Sequence, residues 1–126
     1  MNFLKRHWIT VALIVVIAGV CLFGLREYRC KMRGAAFARQ VETLKRDASV
    51  ELKVGTNKSG VARFFAEHKI PFAILETEAY GSLRPPGCAP FGCFTDVGFI
   101  GVRVGLDGAG TVTEAPKVFR MYQDCL

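Results

Sequence analysis

The pattern of apolar and polar positions changes character along the chain. From Trp8 to Leu25 the sequence WITVALIVVIAGVCLFGL runs for 18 positions without a charge. As a helix it would rise roughly 27 Å at about 1.5 Å per residue, close to the ~30 Å hydrocarbon core of a bilayer. The stretch AAFARQVETLKRDA behaves differently, because Phe37, Val41, Leu44 and Ala48 recur at helical spacing with charges between them. That spacing predicts an amphipathic helix. A second helix is predicted after the start signal Gly55-Thr56-Asn57, with Val61, Phe64, Phe65 and His68 on one face and Pro71 as its stop.

Beyond Pro71 the period becomes that of a strand. PFAILETEAY reads as one strand, and VGFIGVRVGL as another, in which Ile100, Val102, Val104 and Leu106 alternate with small or polar residues. The turn DGAG leads into TVTEAPKVFRMYQ, a third strand that Pro116 marks as an edge or a bulge. The fold expected is α+β: an N-terminal transmembrane helix followed by two helices packed on a three-stranded antiparallel meander. The organisation expected is a short basic tail over 1–7, a transmembrane anchor over 8–27, a basic juxtamembrane segment with the amphipathic helix over 28–47, and a small α+β domain over 48–126.

The anchor reading competes with a buried helix and with a cleaved signal peptide. So small a domain could hardly cover an apolar helix on every side, which disfavours the first. Lys5 and Arg6 do form a basic start, but Phe23-Gly24-Leu25-Arg26 is a poor cleavage site and Val20 stands where a lipoprotein signal wants a small residue before Cys21. An uncleaved anchor is expected. Trp8 and Leu25 bound it, Trp8 and Tyr28 suit the headgroup layer, and Arg26, Arg29, Lys31 and Arg33 meet lipid headgroups at about 1 kcal/mol each on an anionic surface.

Charge narrows the partners. The net charge of +6 is confined to residues 1–47, where nine Lys or Arg face three acids, while residues 48–126 hold eight of each. A neutral domain lacks the footprint of a nucleic-acid binder, so the lipid bilayer and an envelope protein are the expected partners, with no nucleic acid and no identified small-molecule substrate.

Orientation is contested by the residues themselves. Six basic residues follow the span within about twenty positions, against Lys5 and Arg6 before it, and the positive-inside rule alone would place the domain in the cytoplasm. The signal-like start and the cysteine spacing favour export. RPPGCAPFGC carries Cys88 and Cys93 in a loop of prolines and glycines, and a disulfide between them would close the loop before the central strand. Cys93 with Cys125 is a competing pair, and with Cys30 the four cysteines outside the span allow three full connectivities.

The motifs that would carry chemistry are incomplete. Gly55 and Gly60 in GTNKSG have the Walker A spacing, but Val61 and Ala62 replace the Lys and the Ser or Thr that phosphate and Mg²⁺ need. DGAGTVTE lacks the opening acid and the bidentate Glu of a Ca²⁺ loop, since Gly105 and Pro116 fall at those positions. Cys88, Cys93, Cys125 and His68 could make a zinc site only from a scattered set. Asp96, Asp107 and Asp124 lie at strand ends or turns, and a cysteine nucleophile would need His68 beside it. No catalytic residue, metal or cofactor is therefore expected.

LKVGTNKSGVARFFAEHKIP, from Leu52 to Pro71, resembles the Gly-Thr-led helix that opens small bacterial envelope domains of the SmpA/OmlA (outer-membrane assembly lipoprotein) type. It is also similar to membrane-anchored bacterial proteins with a cysteine pair before the central strand. The resemblance implies the helix, helix and meander order and a role in the cell envelope. The function expected is a single-pass anchored, extracytoplasmic protein-binding module at the inner membrane, without catalysis. The alternatives are a cytoplasm-facing thiol or zinc module and an enzyme whose site carries no recognised motif.

Overall fold

The computed structural model describes residues 2–85, 87–89, 93 and 97–122. Helix α1 spans Asn2–Glu51, helix α2 Lys58–Glu67, and four strands follow: β1 (Phe72–Ile74), β2 (Glu78–Leu83), β3 (Gly98–Gly105) and β4 (Lys117–Tyr122). The chain divides into two compact units, Met1–Met32 and Arg33–Leu126. In the first, every described side chain from Arg6 to Arg29 is exposed. In the second, the sheet is antiparallel throughout in the order β1-β2-β3-β4, and the class is α+β.

Two expectations about the elements are corrected. The anchor and the amphipathic helix are not separate: α1 runs unbroken through Gly34. Arg26 to Ala36 is rich in strong helix formers, and one glycine costs only about 1 kcal/mol against alanine there. The meander has four strands and not three, because PFAILETEAY is a hairpin. Phe72, Ile74, Ala79 and Gly81 all serve the helix-covered face, so the inward positions switch from even to odd across Leu75–Thr77. Leu75 N–H donates to Glu78 O at 2.8 Å to close that turn.

The core lies between the helices and one face of this sheet. Phe37, Val41, Leu44, Ala48 and Leu52 come from α1 and its end, Val61, Phe64 and Phe65 from α2, and Ala79, Ile100, Val102 and Val104 from β2 and β3. Glycines admit the large rings: a Cβ at Gly81 would stand 2.7 Å from Phe65, and one at Gly98 2.6 Å from Phe37.

Local chemistry sets the ends of α2 and the last hairpin. Asn57 caps the helix, its side chain accepting from Gly60 N–H at 2.8 Å. At the other end Lys69 N–H donates to Ala66 O and Ile70 N–H to Phe65 O, with Lys69 at φ 54°. That is a Schellman stop with lysine in the left-handed position normally held by glycine. Lys69→Gly is expected to stabilise the fold by about 1 kcal/mol, the strain of a Cβ in that conformation, read as a raised unfolding midpoint. No gain would mean that glycine's larger unfolded-state entropy offsets the strain. In the hairpin after β3, the Asp107 carboxylate accepts from Ala109 and Thr111 N–H, and Gly110 supplies φ 78°. The ladder then slips from Leu106↔Val112 to Arg103↔Lys117, so an irregular segment ending at Pro116 precedes β4, an edge strand.

Candidate functional site

The residues proposed to meet the membrane lie along α1. Trp8 is 75% exposed and Leu25 53% exposed, and Arg26, Arg29, Lys31 and Arg33 are exposed as well. Among the described residues one helix, the N-terminal one, is long and apolar enough to cross a membrane. Cys21, inside the apolar run, is a free and exposed thiol.

Cys30, Cys88 and Cys93 are disulfide-bonded. The participation of Cys30 is what spacing did not single out, since attention to RPPGCAPFGC favours the local pair. Cys125, the competing partner, lies outside the described residues, as do Asp96 and Asp124.

His68 is the C-cap of α2, its ring 4.5 Å from that of Phe64 and its Nε2 3.6 Å from a Glu51 carboxylate oxygen. With Gln40, Thr43, Leu44 and Leu83 it lines an open cavity of about 280 Å³. The lining combines three polar side chains, Gln40, Thr43 and His68, with two leucines. Among the described residues no three His, Cys, Asp or Glu side chains group to hold a metal ion.

The face of the sheet away from the buried residues carries a different set. Its rows hold Glu78, Tyr80 and Ser82 on β2, Phe99, Gly101 and Arg103 on β3, and Lys117, Phe119 and Met121 on β4, by alternation from the buried positions. The Phe119 ring covers its cross-strand partner Gly101 so closely that a Cβ there would collide with it. The Arg84 guanidinium sits 4.7 Å over the Phe99 ring, and Arg103 pairs with Glu78 at 3.4 Å. Tyr80, Phe119 and Met121 are 47%, 43% and 51% exposed. Aromatic and basic side chains are thus exposed together on this face of the sheet.

Hydrogen-bond parity identifies which backbone groups of β4 face away from β3. Leu106 N–H donates to Thr77 O toward β2, and Thr113 N–H donates to Gly105 O. Even-numbered residues of β3 therefore bond to β2 and odd-numbered ones to β4, since an antiparallel strand alternates its bonding direction. In the observed register Lys117, Phe119 and Met121 turn their backbone groups to β3. Val118 and Arg120 turn theirs to the outer edge.

Comparison with family models, with curated proteins and with solved structures returns no match to this chain. Sequence reasoning missed the platform because Tyr80, Phe119 and Met121 are ordinary strand residues until a register places them together. The available signal was the second alternating row, Phe99, Gly101 and Arg103, beside the core row Ile100, Val102 and Val104.

Proposed function

We infer that this protein is a single-pass, membrane-anchored domain held outside the cytoplasm, at the inner membrane of a cell envelope, where it binds another envelope protein without catalysis. The observation that carries the compartment is the bonding of Cys30, Cys88 and Cys93, because disulfides persist in oxidising compartments and are rare in cytosol. The apolar half of α1 supplies the attachment, with Arg26, Arg29, Lys31 and Arg33 at the headgroup layer. Support for binding comes from the exposed aromatic platform on the sheet, which has the anchoring residue types of interfaces.

The test is topology. A fusion at Leu126 to a reporter active only in an oxidising, extracytoplasmic compartment is expected to be active, and the matching cytoplasmic reporter silent. The reverse pattern would turn the reading to a cytoplasm-facing thiol module. On the exported reading Cys88 and Cys93 form the local bridge, and non-reduced peptides from the membrane-expressed protein are expected to show a link within that segment. Free thiols at both positions would overturn the compartment, whereas a link from either to another cysteine would correct only the pairing.

A further inference from the structure

We propose that β4 is a docking edge that takes up an extended acidic segment of another protein by strand addition. This rests on the reading of the domain as a binding module and names the chemistry of its partner. β4 is an edge of the sheet, and among the described residues the outward backbone groups of Val118 and Arg120 have no strand beside them. An extended chain aligned there would meet those groups at the spacing of a normal ladder.

The side chains along the edge select the occupant. KVFRMY contains two cations and no acid. Arg120 is exposed with no ion-pair partner among the described residues, while Lys117 shares Glu114 at 3.4 Å in the open. Pairing with a second copy of β4 would bring four cations into one two-stranded ribbon, offset by the exposed Glu114 carboxylate of each copy and leaving both Arg120 side chains uncompensated. An incoming strand with a carboxylate beside Arg120 and apolar side chains beside Phe119 and Met121 meets both faces of the edge at once, and Lys117, at the start of the Phe119 and Met121 row, offers a further cation. Phe119 and Met121 already stand exposed on the face that such a strand would extend. Positive edge residues ordinarily protect a sheet against its own kind, and the same charges admit an acidic strand.

The other edge does not offer this. β1 has three residues, Phe72–Ile74, and carries no charge to select an acidic strand.

The test uses the full chain in detergent micelles and two synthetic ten-residue peptides, one alternating valine with glutamate and one alternating valine with lysine. The glutamate peptide is expected to bind and to slow exchange of the Val118 and Arg120 amides at least tenfold, leaving the inward amides of Phe119 and Met121 unchanged. The lysine peptide is expected not to bind. Arg120→Glu is expected to weaken the glutamate peptide at least tenfold and to admit the lysine peptide, with unchanged exchange of the Val102 amide showing that the fold is intact. Equal binding of both peptides, or binding without protection of Val118 and Arg120, overturns the proposal. Protection that rises with protein concentration in the absence of peptide overturns it too, by assigning the edge to a second copy. These outcomes are independent of the topology reporters, so the docking edge and the exported anchor can fail separately.

Discussion

Replacing Phe65 with alanine is expected to lower the unfolding free energy by about 3–5 kcal/mol, read from the slowest-exchanging β3 amides of the full chain in micelles. Phe65 is fully buried, stacks on Phe72 with centroids 5.1 Å apart and meets Phe64 edge-on at 5.6 Å. It also accepts the Ile70 N–H at the end of α2, so its ring and its carbonyl fasten the same turn. Gly81 provides a control. Gly81→Ala alone drives a methyl toward Phe65 and Ile70, each under 3 Å from the position of that Cβ. In the Phe65→Ala background only the Ile70 contact remains, so the double variant is expected to be less destabilised than the two single costs added. Strict additivity would show that ring and glycine do not share one contact.

Deleting residues 1–32 is expected to move the protein from the membrane pellet to the soluble fraction, with cooperative unfolding retained. The second unit begins at Arg33 and its buried residues begin at Phe37, while the described side chains from Arg6 to Arg29 are exposed. The deletion also removes Cys30 and with it a disulfide, which lowers stability by about 2–4 kcal/mol. The urea midpoint of the fragment should therefore fall without loss of a sharp transition. An aggregated fragment with no cooperative transition would show that the first turns of α1 belong to the core.

Periodicity was readable wherever one face of an element is buried in its own right. The stripe Phe37, Val41, Leu44 and Ala48 and the row Ile100, Val102 and Val104 are all buried, and each is visible as a spacing of 3.6 or 2. The continuity of α1 through Gly34 and the turn at Leu75–Thr77 depart from the expected elements for opposite reasons. Glycine is a weak breaker when helix formers surround it, whereas Leu-Glu-Thr contains none of the residues that usually announce a turn. The shift of the inward row from Phe72 and Ile74 to Ala79 and Gly81 was the remaining trace of that hairpin.

Composition and local pattern determined by themselves the apolar run of α1, the confinement of excess charge to residues 1–47, the helix start at Gly55-Thr56-Asn57 and the α+β class. These depend on single residues and their near neighbours, which is what a linear pattern records. Tertiary structure alone decided that Gly81 and Gly98 make room for Phe65 and Phe37, and that Cys30 joins Cys88 and Cys93 among the bonded cysteines. It alone placed Tyr80, Phe119 and Met121 on one exposed face and turned Val118 and Arg120 to the outer edge of β4. Strand register is the physical reason: a shift of one residue moves every side chain to the other face and every outward amide inward, and that alignment is set by packing between segments far apart in the chain.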